Sequence, residues 1–200
     1  MNMLKRIPLF KGLSGEEISD HEKNMRAKKV GAKTVLFLEG DAADVIYFIV
    51  DGAVRIYKST INGKEITLAL FFKGDFFGEM GLIEGRRTAN AETLEPSMFY
   101  IMEKERFLSI LKQHGDVSFK LLMEVAQRLN STNQRMEHMI SDDMKTRILD
   151  TIKQYEGVRL THQEIANMVG TSRESVSRAL YKLQEEEKII YSHKKFIVKK

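Results

Sequence analysis

From Val30 to Phe77 the chain alternates apolar and polar positions, most clearly around Val35-Leu36-Phe37-Leu38 and Val45-Ile46-Tyr47-Phe48-Ile49-Val50. Period-two patterning rich in β-branched and aromatic residues predicts short strands. Glycines recur at Gly31, Gly40, Gly52, Gly63 and Gly74, spaced nine, twelve, eleven and eleven, so tight turns punctuate the strands. The Asn62-Gly63 pair is a hairpin signal, since both residues tolerate the positive φ of a two-residue turn. A short helix from Ser14 to about Lys28 is predicted ahead of this region. Antiparallel strands at that spacing build a sandwich, barrel or roll.

Beyond the strands the period changes. Between Val117 and Met139, the residues Leu122, Val125, Leu129, Thr132, Met136 and Met139 step by three and four in alternation, as the seam of a coiled coil does. A long helix with that stripe pairs with its own copy or packs on its own roll. Thr132 interrupts the stripe, as a lone polar residue that sets register would.

The last 57 residues carry two T-x-x-E boxes, Thr161-His162-Gln163-Glu164 and Thr171-Ser172-Arg173-Glu174, separated by Gly170. In such a box the threonine hydroxyl accepts from a first-turn amide and the glutamate reaches back to the cap N–H, so each predicts a helix start. Gly170 stops the first helix and turns the chain. Ile165, Ala166 and Val169 form one inner face, and Val176, Leu180 and Leu183 the other. Arg173, Ser175, Ser177 and Arg178 are left outside. Arginine's fork matches the two major-groove acceptors of guanine, and serine is short enough to let a helix approach phosphate. Lys188 to Tyr191 and Phe196 to Val198, with Ser192 to Lys195 as a polar tip, predict a β-hairpin wing.

Charge sharpens this reading. The chain of 200 residues has formal net charge +4. From Met144 to Lys200 there are twelve Lys and Arg against seven Asp and Glu, leaving twenty against twenty-one for residues 1 to 143. The basic excess is confined to the C-terminal part, the footprint of a surface for phosphate backbone. With 42% hydrophobic residues the chain can bury cores, and the charge shift near residue 143 indicates separate domains. No stretch approaches the roughly 20 apolar residues that span a bilayer, and no signal-peptide core is present, so a cytoplasmic protein without a membrane partner is expected. Zero cysteines exclude disulfides and a thiolate nucleophile, and the five histidines show no metal-ligand spacing.

One segment breaks the strand pattern: Phe76 to Ala89, with Gly78, Glu79, Met80, Gly81, Arg86, Arg87, Thr88 and Ala89. Close glycines let backbone N–H groups approach an anion, Arg87 could hold a phosphate bidentately, and Glu79 could accept from sugar hydroxyls. A loop with a surface ion pair between Glu79 or Glu84 and an arginine has the same composition.

In these motifs the chain resembles the Crp/Fnr family of bacterial transcription regulators over nearly its whole length. The resemblance rests on Gly63-Lys64-Glu65, on Gly78-Glu79-Met80 with Arg87-Thr88-Ala89, and on Thr171-Ser172-Arg173-Glu174-Ser175-Val176-Ser177-Arg178. It implies an α+β protein: a jelly-roll effector domain over 1–115, a dimerisation helix over 116–140, a hinge at 141–143 and a winged helix-turn-helix over 144–200. Gly78 and Glu79 would meet the ribose of a cyclic nucleotide, Arg87 and Thr88 its phosphate, with Met80 and Ala89 in the same cassette. Thr132 and Asn133 would contact the base, one from each subunit. Asn133 stands where the family has a small hydroxyl residue, and its amide both donates and accepts. Thr171, Ser172, Arg173, Glu174, Ser177 and Arg178 would meet DNA, at half-sites of the TGTGA kind. The implied partners are double-stranded DNA, a second copy and RNA polymerase; the implied effector is cyclic AMP, with no cofactor.

An effector touching both roll and dimer helix would straighten the helix through Met139 and Ile140. Ser141-Asp142-Asp143 would then swing the recognition helices to match the DNA pitch. Three alternatives remain: a constitutive DNA-binding dimer with a vestigial pocket, a nucleotide-processing enzyme, and a module docking acidic protein. The enzyme lacks any paired carboxylates or Ser/His/Asp set at plausible positions.

Overall fold

Strand-forming residues in this chain are sorted by side. Along β3, Val45–Asp51, the side chains of Ile46 and Phe48 enter one buried cluster while those of Tyr47 and Ile49 enter another. That is why the segment is a continuous apolar run rather than the apolar and polar alternation expected from its period: both faces of its sheet are covered. The computed structural model describes residues 4–23, 25–141, 143–192 and 195–199. The chain divides into two compact units, residues 1–58 with 68–126, and residues 59–67 with 127–200.

In the first unit, two 3-10 turns, Leu4–Arg6 and Pro8–Phe10, precede α1, Gly15–Glu22. Ser14 caps α1 with a full capping box to Glu17. The helix expected to reach Lys28 ends at Glu22, and Arg26–Val30 is strand β1, in register with β8, Ser97–Glu103. Local signal favoured helix there, but β8 offers an open edge, and a lysine-rich strand suits the rim of a sheet. β2 spans Val35–Phe37, β4 Ala53–Ser59, β5 Glu65–Phe72, β6 Phe76–Phe77 and β7 Asn90–Thr93. They form two four-stranded sheets, ordered β1-β8-β3-β6 and β2-β7-β4-β5, which make a roll. Between β4 and β5 the chain turns through Asn62-Gly63, with Gly63 at φ +74°. Of the five regularly spaced glycines, four take positive φ and Gly31 does not.

The inner faces of the roll bury Tyr47, Ile49, Val54, Phe77, Ala91, Phe99 and Ile101. The outer face of the β3 sheet packs Ile46, Phe48, Phe76, Tyr100 and Met102 against Leu4, Phe10, Ile18, and Phe107 and Ile110 of α3, Lys104–Gln113. A 27-residue helix, α4, then runs from Gly115 to Ser141 and passes from the first unit into the second.

In the second unit α5, Met144–Gln154, is capped by Asp143, whose carboxylate accepts from the N–H groups of Lys145 and Thr146. α6 is His162–Val169, α7 is Arg173–Glu185, and β9, Ile189–Ser192, pairs antiparallel with β10, Lys195–Val198. Ile148, Ile152, Ile165, Ala166, Val169, Val176, Leu180, Leu183, Ile189 and Phe196 are all buried. The inner faces of α6 and α7 are those the period expected. The wing tip expected at His193 and Lys194, and Asp142 of the expected hinge, lie outside the described residues.

Candidate ligand cassette and nucleic-acid interface

The cassette begins where β6 ends. Gly78 has φ +94°, and a Cβ there would lie 2.7 Å from Arg87 Nη1 and 3.4 Å from the Val45 carbonyl oxygen. Only glycine lets the backbone come so near the guanidinium. Three residues on, the segment expected as a loop winds into one helical turn, α2, Gly81–Glu84, closed by Gly85 in the left-handed region. A Cβ on Gly81 would meet the Cβ of Ala43 at 2.2 Å, so this turn sits flat against the chain before β3. Period gave no warning of it, because four residues are too few to show one.

Arg87 is 5% exposed. Its Nη2 donates to the Val45 carbonyl at 2.8 Å and its Nη1 to the Gly78 carbonyl at 3.3 Å. The guanidinium carbon lies 4.3 Å from the centre of the Phe37 ring and 5.8 Å from that of Tyr47. Its Nε is buried with no hydrogen-bond partner. Burial pulls the guanidinium below its ordinary pKa, opposed by the Tyr47 phenol and the carboxylates of Asp44, Asp41 and Glu79. An arginine with a water-excluded N–H is what an entering anion would relieve. Arg86 is the exposed member of the pair and donates to the Gly40 carbonyl at 3.0 Å. Glu79 and Thr88 are half-buried, Met80 is exposed and Ala89 buried.

Thr132 and Asn133 belong to the second unit, where both are exposed on α4. The Thr132 hydroxyl donates to the Arg128 carbonyl at 2.9 Å and accepts from Arg135 Nη2 at 3.4 Å. Along the same helix Leu122, Val125, Leu129, Met136 and Met139 are all exposed, Leu122 by 63% and Leu129 by 61%.

Thr161 caps α6 with the expected box: its hydroxyl accepts from Glu164 N–H at 3.2 Å, and Glu164 Oε2 accepts from Thr161 N–H at 2.6 Å. The second expected box does not form. Ser172, not Thr171, is the cap of α7, accepting from Ser175 N–H at 3.2 Å. Thr171 is still closing α6, since its N–H and that of Gly170 both go to the Ala166 carbonyl. Its hydroxyl lies 3.3 Å from Met144 Sδ, packed towards α5. Arg173, Glu174 and Arg178 are exposed, and Arg178 Nη2 donates to Ser175 Oγ at 3.1 Å. Backbone and Ser172 hydrogen bonds hold the Glu174 carboxyl below its ordinary pKa. Ser177 is half-buried, 2.8 Å from His162 Nδ1. His162 was not among the candidate residues; its only signal was its place inside the first capping box.

A roll carrying a buried arginine cassette, followed by a long helix and a winged helix-turn-helix, is the layout of a DNA-binding regulator. Comparison with known proteins gives the same class. Residues 27–114 match the cyclic nucleotide-binding domain and residues 121–200 the Crp-like helix-turn-helix domain. The Cyclic AMP receptor protein of Thermus thermophilus is 31% identical over 190 residues, covering 92% of this chain and 88% of its own length. The cAMP-activated global transcriptional regulator CRP of Pasteurella multocida is 32% identical over 184 residues, covering 85% and 88%. The solved c-di-GMP responsive global regulator CLP of Xanthomonas campestris shares the fold, with TM-score 0.77 at 23% identity over 94% of this chain and all of its own. The chain belongs to the Crp/Fnr family: it is a DNA-binding transcription regulator with a cyclic nucleotide-binding domain, not an enzyme.

Proposed function

We propose that two copies of the chain pair along α4 and read a palindrome of TGTGA-like half-sites, under control of a cyclic nucleotide, cyclic AMP, held by the cassette. The observation that carries the ligand assignment is Arg87: a buried cation with an unpartnered Nε, beside a glycine whose missing side chain lets the guanidinium lie against the backbone. A cyclic phosphate supplies a charged hydrogen-bond acceptor where this desolvated guanidinium now has only carbonyls. Gly78 and Glu79 take the ribose, Arg87 and Thr88 the phosphate, and Thr132 and Asn133 the base. Both curated relatives named above are described as cyclic-AMP proteins, which favours that nucleotide. Pairing is supported by the stripe on α4: five large apolar side chains left in water along one helix are what a second copy covers. Two recognition helices then reach half-sites about 34 Å apart. RNA polymerase is the proposed downstream partner, in the cytoplasm; among the described residues no helix is long and apolar enough to cross a membrane.

A second reading, effector-independent DNA binding, draws on the same arginine. Its fork already serves the Gly78 and Val45 carbonyls and its face already stacks on Phe37, so the pocket's cation has protein partners of its own. Calorimetric titration with cyclic AMP, cyclic GMP and cyclic di-GMP separates the two. Heat with cyclic AMP, lost in Arg87→Ala together with ligand-stimulated operator binding, supports the first reading. Silence with all three nucleotides, with operator binding intact, establishes the second.

A further inference from the structure

α7 has two distinct sides. Val176, Ala179, Leu180 and Leu183 are buried, and at about 100° per residue they share one side of the helix. Directly opposite stand Glu174, Arg178, Tyr181 and Glu185, spaced four, three and four residues apart. Glu174 and Arg178 lie in the first two turns, where a recognition helix meets base edges. The stripe runs on beyond them through Tyr181 and Glu185. Tyr181 is 64% exposed, on a helix whose aliphatic side chains are buried. Its hydroxyl is hydrogen-bonded to Glu185, which lifts the phenol above its ordinary pKa. A carboxylate has no hydrogen to give, so the phenol is the donor and its single hydrogen is spent.

We propose that Tyr181 is a further base-reading residue of the recognition helix, addressing an A·T pair one step beyond the pair read by Arg178. This rests on α7 entering the major groove, and on neither the effector nor the exact half-site. Three residues advance a helix by about 4.5 Å, and successive base pairs lie about 3.4 Å apart. Tyr181 therefore comes over the neighbour of the pair under Arg178, on the side away from Glu174. What it offers there does not suit the phosphate backbone. A phosphate oxygen only accepts, Tyr181 has no hydrogen left to give, and Glu185 sets a negative charge beside it. Lys182, exposed on the same turn and about 100° around it, is the donor that a phosphate would meet. An A·T pair supplies what Tyr181 and Glu185 together can use. In the major groove it shows the thymine C5 methyl, which packs on the apolar ring, and the adenine N6 amino group, which donates to a free oxygen lone pair of the carboxylate or the phenol. A G·C pair has an amino group there but no methyl.

The test is site selection by the full chain from a randomised duplex pool, with saturating cyclic AMP and without it. Wild type should select A·T at a position adjacent to the one that Arg178→Ala relaxes, and Tyr181→Ala should lose the selection there alone. Replacing that thymine by deoxyuridine removes only the methyl; it should weaken wild type by about fivefold or more and leave Tyr181→Ala unchanged. Tyr181→Phe keeps the ring and should still tell thymine from deoxyuridine. Equal wild-type affinity for the thymine and deoxyuridine duplexes would overturn the proposal. So would a loss in Tyr181→Ala spread over all sequences with a shallower salt dependence, the mark of a phosphate contact. Wild type that selects no duplex under either condition overturns the DNA-binding premise and the proposal with it, whereas intact selection without the A·T preference overturns the proposal alone.

Discussion

Two buried arginines show how differently one residue type is used. Arg55 is paired: its Nε and Nη2 meet Glu92 Oε2 at 2.9 and 2.5 Å, and it lies over the Tyr57 ring at 4.1 Å. Arg87 gives its hydrogen bonds to carbonyls and its face to rings. Removing one partner of a buried ion pair strands the other, so Glu92→Ala should cost about 3–5 kcal/mol, while a compensating Arg55→Met/Glu92→Leu double variant should lose far less. Denaturant midpoints measure both. Gly78→Ala forces a side chain into a left-handed backbone against Arg87; a loss of about 1–3 kcal/mol, with weakened nucleotide binding, is expected. His21, buried on α1, shows a pH effect of known sign. Burial depresses its pKa first, then Arg106 and His114, so the folded state resists protonation. Stability should be full above the unfolded histidine pKa and should fall as pH drops below it towards the depressed folded value. His21→Phe should flatten thermal melting temperatures over that window. Position along the chain signalled Arg87, because its glycine neighbours are local. It did not signal the Arg55–Glu92 pair, whose members are 37 residues apart and meet only through the register of β4 and β7.

Helix boundaries tell where local chemistry suffices. The boxes at Ser14 and Thr161 both form, because everything they need lies within four residues. Thr171 offered the same T-x-x-E spacing and lost to its neighbour, since closing α6 through Ala166 uses Thr171's own N–H. Ser172→Ala should therefore cost about 1 kcal/mol of domain stability, and Thr171→Ala clearly less. Equal costs, read from thermal unfolding, would restore Thr171 as the cap. Asp143 is a cap whose carboxyl is held below its ordinary pKa by the N–H groups of Thr146 and Lys145. Its contribution is present above the unfolded aspartate pKa and disappears as pH falls through the lowered folded value. The helix expected to reach Lys28 failed for a different reason: β1 exists only because β8 stands beside it.

At the scale of the assembly, the exposed stripe of α4 carries the expectation of pairing. Leu129→Glu, in the middle of the stripe, should convert a self-associating species to monomers in sedimentation equilibrium and lower operator affinity by at least tenfold, each folded domain remaining intact. If the variant sediments like the wild type, the stripe is not the interface. The period of apolar residues, the caps, the turn glycines and the charge imbalance are properties of neighbouring residues, and from them the strand-rich half, the long helix, the helix-turn-helix and its basic partner surface could all be read. Pairings distant in sequence could not. Which strands share a sheet, that both faces of β3 are covered, and that Arg87 faces inward onto Phe37 depend on chain segments meeting across tens of residues. A local pattern states which face of an element is apolar or charged; only the packed fold states what that face meets.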